Sequence, residues 1–371
     1  MLVLLLSLVL LAPLGCTKDD GDTCDTGCTQ EDSAIPDDSD SPLDTEDTGQ
    51  PPDPCDPPIA TFTDEGGASQ NLTDALTAGT YTTLDVPGRL SVCPGTWYTR
   101  LLLRADIEVV GLGSVREETI LSGGESGTIL DVAGPDTSIH VENVTLDRGA
   151  GLDTDHNSGG GGIYCEENAS VSVDNAVFSN GFANDGAAIY TRDCSLEVRD
   201  TVFRDNLAED DGGAVSLWYS TGDFEGVAFE DNQALDGGAL AAFYSDLSVR
   251  NASFARNTSA YFAGGIWIYE STLDLVDSVL SQNINTGEDG GGMLLHGQAS
   301  LSGVTLSENA ARRGGGVFVY YEAEVTGAHC DFAGNLEDDL FVADYSKEGG
   351  MPYTLGKDVS FTCAGNVCET D

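Results

Sequence analysis

The side chains best suited to chemistry in this chain are carboxylates. Asp153 and Asp155, with His156, form the densest polar group in the run DTDHN, and Asp185, Asp211, Asp236 and Asp289 each stand just before a glycine turn. Either set has the oxygens to bind Ca²⁺. Either also offers the pair of carboxylates that acid–base cleavage of a glycosidic bond requires. Asp before Gly is equally ordinary turn chemistry, because its short side chain bonds its own backbone; DTDHN reads as a loop, and we adopt the turn reading for both. Arg192, Arg199 and Arg204 supply guanidinium groups of the kind a lyase base needs, but nothing in their spacing singles one out. His140, His156, His296 and His329 stand apart, without metal-ligand spacing, and no GxSxG elbow is present. No catalytic set is assigned, and no cofactor is required; Ca²⁺ is possible without an assignable ligand set.

Aromatic residues form the second constellation. Trp218, Tyr219, Phe243, Tyr244, Trp267, Tyr269, Phe318, Tyr320 and Tyr321 follow the glycine turns. Strand alternation puts Trp267 and Tyr269 opposite Ile266 and Ile268, and Phe318 and Tyr320 opposite Val317 and Val319. With the aliphatics inward, a ladder of rings faces outward, able to stack on sugars or dock a partner. Trp267, Tyr269, Phe318 and Tyr320 are the ligand-binding candidates of this reading. Rings that stack on one another, or lie under a loop, satisfy the same pattern.

The elements that position these groups are repeats. Asn206, Asn232, Asn257, Asn283, Asn309 and Asn335 are separated by 26, 25, 26, 26 and 26 residues. Phe203, Phe229, Phe254, Leu280, Leu306 or Phe332 stands three residues before each, and alternating pairs such as Leu196/Val198 and Leu247/Val249 come upstream. Glycine clusters follow, as in DGGAV and DGGAL. Alternation means strands, and short strands at a fixed period with Asn, Asp and Gly turns mean a solenoid. The Phe or Leu is expected to stack as an interior ladder. The Asn is expected in a tight left-handed turn, bonding the Asn of the next coil. The predicted fold is all-β, a single-stranded parallel β-helix of roughly ten coils over residues 101–345.

The flanks differ in composition. Residues 1–16 carry the apolar stretch Leu2 to Ala12, too short to span a membrane. Residues 17–58 are Asp, Thr, Ser, Pro and Gly with few aliphatics, which predicts a disordered acidic tether. Residues 59–100 read as an N-terminal cap and first strands, partly helical, and 346–371 as a C-terminal cap or tail. Net charge is −48 across 371 residues, so nucleic acid is excluded as a partner by repulsion from phosphate. Anionic polysaccharide would be repelled too, unless cations bridge the two. Ten cysteines behind an export signal point to an oxidising compartment and disulfides. Cys165 and Cys194 lie about one coil apart, and Cys363 and Cys368 form a local pair. Cys24 and Cys28 lack the second half of a zinc pattern.

Two resemblances follow from these motifs. Pro13-Leu14-Gly15-Cys16 resembles the lipobox of bacterial lipoproteins, which implies an acylated Cys16 and a lipid anchor in the outer membrane. The coils resemble the pectin-lyase-like right-handed β-helices. Their FxxN motifs (Phe203, Phe229, Phe254, Phe332) and GGA motifs (Gly212, Gly237) are similar to polymorphic outer-membrane protein repeats. That family implies surface adhesins. Its C-terminal barrel has no counterpart in the residues after the last coil, so Cys16 would replace that anchor. The polygalacturonase signatures are absent in usable context. The expectation is a secreted, lipid-anchored, non-catalytic surface β-helix that contacts an extracellular glycan or another cell-surface protein. The alternative is a polysaccharide lyase or glycoside hydrolase.

Overall fold

The computed structural model describes residues 55–151, 159–320, 323–343 and 359–363. Cys16, the signal segment, almost all of the tether, the DTDHN run, Tyr321, Cys24, Cys28 and Cys368 lie outside the described residues.

Three corners and a short edge strand make each coil, and the coil sequence explains each part. A representative coil runs through Val215–Trp218 on a first face, Thr221–Glu225 on a second and Ala228–Glu230 on a third, then through Gln233–Asp236 at the edge. Its neighbours pair with it in parallel and in register: Val215 with Ile189 below and Leu240 above, Phe229 with Phe203 and Phe254. Alternation sends Val215 and Leu217 into the core and turns Ser216 and Trp218 to the opposite side. Stacking repeats the same in-register pairing over about nine turns, giving a right-handed parallel β-helix with almost no helix. Among the described residues no helix is long and apolar enough to cross a membrane.

The expected interior ladder is present. Phe178, Phe203, Phe229 and Phe254 stack with ring centroids 5.0, 4.7 and 4.6 Å apart, all buried. Each Asn of the repeat then satisfies three demands at once. Asn232 donates from Nδ2 to Asn257 Oδ1 at 2.9 Å and to the Phe203 carbonyl at 3.0 Å, while its backbone N–H donates to Asn257 Oδ1 at 3.0 Å. The same pattern runs from Asn206 to Asn335. One expectation needs correction. The left-handed backbone falls one residue earlier, on Asp205, Asp231, Arg256, Gln282 and Glu308. The Asn side chain must turn inward to reach the neighbouring coil, so the preceding residue makes the bend.

The stretch 59–100 holds both cap and coil. Ala60–Asp64 pairs antiparallel with Ser69–Asn71 and Gly88–Val92, and the helix Thr73–Thr77 buries Leu76 in the core. Parallel pairing already begins there, with Thr82–Leu84 on Leu101–Leu103 and Gly88–Val92 on Ile107–Gly111. Cys165 and Cys194 are disulfide-bonded, as their coil spacing suggested. A second disulfide, Cys55–Cys93, fastens the start of the described chain to the first coils. Cys330 is a buried free thiol.

Candidate functional site

The corner leading from the edge strand into the first face carries one side chain per coil, and these form a row. Gly159 is bridged to Asp185, and Asp211, Asp236, Phe262, Asp289 and Arg313 are bridged in succession, by the backbone; the Asp211 N–H joins the two runs by donating to the Asp185 carboxylate. The aspartates that sequence spacing had suggested as a ladder are therefore stacked one coil apart. The glycine after each bends the backbone: Gly186, Gly212, Gly237 and Gly290 have φ between 52° and 77°, which only glycine adopts without strain.

The row is not uniform, because each aspartate has different partners. Asp185 accepts from the Asp211 backbone N–H at 3.2 Å and from Asn184 Nδ2 at 3.1 Å. Asp236 accepts from the Phe262 N–H at 2.7 Å. Asp289 takes a two-pronged bond from Arg313, 2.6 Å on each side, and Arg313 lies over the rings of Phe318 and Phe341. Asp211 differs: its carboxylate accepts no hydrogen bond from any described residue. The donor its neighbours would predict, the Asp236 N–H, is bonded instead to the Asp210 carbonyl at 2.9 Å. Asp211 is only 9% exposed. Burial, and then the charges of Asp185, Asp210 and Asp236, push its carboxyl up to about 8. Asp236 is also pushed up by burial, to about 6, with its bond from Phe262 holding it back.

Asp185, Asp210 and Asp211 converge, with one carboxylate oxygen of each lying within 4.8 Å of the others. Ser216 borders this group. A Cβ on Gly159 would strike the Tyr190 ring at 2.6 Å, so the corner position leans over the first-face residue one coil up. By the same register Asp185 leans over Ser216, the coil-above partner of Tyr190. Ser216 is fully buried, and its Oγ has no hydrogen-bond partner among the described residues. Tyr190 stacks on Tyr164 at 5.4 Å, and Arg192 is exposed two residues along the same strand.

The aromatic candidates separate into two rows. Trp267 and Phe318 lie in the row Tyr164–Tyr190–Ser216–Ala241–Trp267–Leu294–Phe318–Phe341. Much of this row is covered by the corner: Phe262 packs on Trp267 at 5.6 Å, and Phe318 has no exposed surface. Phe318 is thus corrected from an outward ligand-facing ring to a packed one, because Arg313 and Phe341 cover it. Tyr269 and Tyr320 belong to the neighbouring row Arg192–Trp218–Phe243–Tyr269–His296–Tyr320 and stay partly exposed. His296, isolated in the sequence, sits 4.8 Å from the Tyr269 ring and 4.8 Å from Tyr320. His296 meets Tyr269 edge-on, at 83°, and is tilted 31° from Tyr320. Trp218 differs, because Phe243 covers one indole face at 4.2 Å and the other points towards the coil of Arg192. Beside it, Tyr219 and Tyr244 stack at 5.0 Å, 55% and 39% exposed, with φ of 49° and 52°. Bulky residues rarely adopt such a backbone. Sequence reading named Arg192 without singling it out and overlooked Tyr190, Asp210 and Ser216, since only the corner-to-face register brings them together.

The comparison with family models agrees with this architecture. The family model described as "Right handed beta helix region" matches residues 132–311. The search of curated proteins returns no match. Among solved structures, the chain is similar to the A-module of the Azotobacter vinelandii mannuronan C-5 epimerase AlgE6. The identity is 14% and the TM-score 0.36, covering 78% of this chain and 91% of that one. It is also similar to the rice weevil pectin methyl esterase, at 10% identity and TM-score 0.28, covering 79% and 84%. The chain's own parallel ladders, together with the matched region, show the fold to be a right-handed parallel β-helix.

Proposed function

We propose that this β-helix contacts an extracellular glycan through the flank formed by Asp210, Asp211, Arg192, Trp218, Tyr219 and Tyr244. The observation that carries the reading is the exposed Tyr219–Tyr244 pair held in left-handed backbone. That conformation costs about 1–2 kcal/mol per residue, and rings this exposed return little of it as packing. The same corner is left-handed in the flanking coils, at Asp193 and Glu270, so the fold sets the backbone; exposed tyrosines at a corner that suits small polar residues point to a task there. Half-buried Trp218, beside the exposed Tyr219, offers apolar surface to a sugar, and Arg192 and the carboxylates offer hydrogen-bonding groups at its rim. In this reading the chain is exported and held at the outer membrane through Cys16, with the disulfides fitting an oxidising compartment. A protein partner on the same flank is the competing occupant. A glycan array followed by Trp218→Ala and Tyr219→Ala tests the proposal. At least a tenfold loss of affinity for the hits is expected, and unchanged affinity for every hit refutes it. Radiolabelled palmitate incorporation, abolished in Cys16→Ala, tests the anchor.

A catalytic reading is favoured by one observation. Asp211, which keeps its proton up to about pH 8, stands one coil from Asp236, which ionises near 6; such divergence suits an acid and a base. Turnover of neutral and uronic glycans, lost in Asp211→Asn, would establish it.

A further inference from the structure

We propose that Asp185, Asp210 and Asp211 form a binding site for a hard divalent cation of the calcium type, bordered by the hydroxyl of Ser216. This does not depend on the glycan reading. Three carboxylates held together raise one another's energy; Asn184 Nδ2 and the Asp211 N–H relieve Asp185 alone, while the Asp236 N–H goes to the Asp210 carbonyl and leaves the Asp211 carboxylate without a donor. Something positive is missing from the balance. Among the described residues Arg313 is committed to Asp289, and Arg192 hydrogen-bonds Tyr190 and lends its charge to Asp185, so no basic group serves Asp211.

Geometry sets the ion's class. Oxygens around Ca²⁺ lie about 2.3–2.6 Å from it, so two of them stand at most about 5 Å apart. The three carboxylate oxygens meet that limit at 4.8 Å. The donors are all oxygen, with no sulfur or imidazole in the group, which disfavours zinc and the later transition metals. The site opens to solvent at Asp210, leaving room for the waters that complete an irregular calcium shell. Two independent features point inward. The Asp211 carboxylate lacks the N–H that its neighbours in the row receive. Ser216 Oγ, fully buried on the side over which Asp185 leans, is also without a partner among the described residues.

Calorimetric titration of the full chain with CaCl₂ tests this, at physiological ionic strength, where diffuse attraction to the acidic surface is screened. The expected result is one saturable site, with Kd about 0.1–1 mM, the range of extracellular calcium modules. It should weaken at least tenfold in Asp211→Asn and in Asp210→Asn, and several-fold in Ser216→Ala. It should be unchanged in Asp274→Asn, which removes an exposed carboxylate from the second face. Asp210 reaches solvent, so its variant reports even where Asp211→Asn impairs folding. Non-saturable uptake, or equal affinity in the wild type, Asp210→Asn and Asp211→Asn, overturns the proposal. Loss of glycan binding with calcium binding retained would refute the glycan reading alone.

Discussion

Replacing Asp211 by Asn isolates the electrostatic cost of the aspartate row. Burial, then the charges of Asp185, Asp210 and Asp236, raise the Asp211 carboxyl to about 8 in the folded chain, against about 3.9 in an unfolded one. Between those values the folded state holds a proton that the unfolded state has released. Stability therefore falls as pH rises, starting near pH 4 and levelling off above about pH 8. Four decades of proton affinity correspond to at most about 5.6 kcal/mol. Relaxation and water entry reduce such penalties, so about 3 kcal/mol is the expected size. Asparagine keeps the shape and does not titrate. The difference in unfolding free energy, variant minus wild type, should thus grow by about 3 kcal/mol in favour of the variant between pH 5 and pH 9. Tyr190 and Arg192 are common to both proteins; Asp185, Asp210 and Asp236 repel the Asp211 charge, and their relief in the variant acts in the same direction. Urea denaturation followed by tryptophan fluorescence, in the presence of a chelator, measures it; Trp218 lies in the same coil as Asp211. Parallel pH profiles for the two proteins would refute the reasoning.

Two further outcomes follow from the packing. Asn257→Ala leaves the Asn232 amide and backbone N–H without their shared acceptor, and takes the Nδ2 donor from Asn283 Oδ1 and from the Phe229 carbonyl. Buried orphaned groups cost about 1–3 kcal/mol each, so a loss of about 3–5 kcal/mol in urea unfolding is expected; less than 1 kcal/mol would contradict a stabilising ladder. Cys165→Ala with Cys194→Ala opens a loop of sequence separation 29, worth about 3.6 kcal/mol by loop closure. Reduction of the wild type should lower the unfolding midpoint at least as much as the double variant does.

The coil architecture was legible because every coil faces the same problem. A translation along one axis returns each residue to an equivalent environment, so Phe203, Phe229 and Phe254 and their asparagines repeat in sequence as they stack in space. Strand alternation likewise places Ile266 and Ile268 inward, where both are fully buried. Alternation says which side a side chain takes; it cannot say what covers that side. Phe318 and Tyr320 leave their strand in the same sense, but only Phe318 falls beneath Arg313. The choice depends on the corner residue, whose reach across coils is set by register. Asp211 likewise reads as its neighbours do, an aspartate before glycine. Its exceptional carboxyl arises because the Asp236 N–H pairs with a carbonyl instead. Ser216 meets Asp185 by the same register, and His296 meets Tyr269 and Tyr320 by in-register stacking on its own face. Neighbours in this fold lie some 25 or 26 residues apart in sequence, and their side-chain contacts exist only once the coils have stacked.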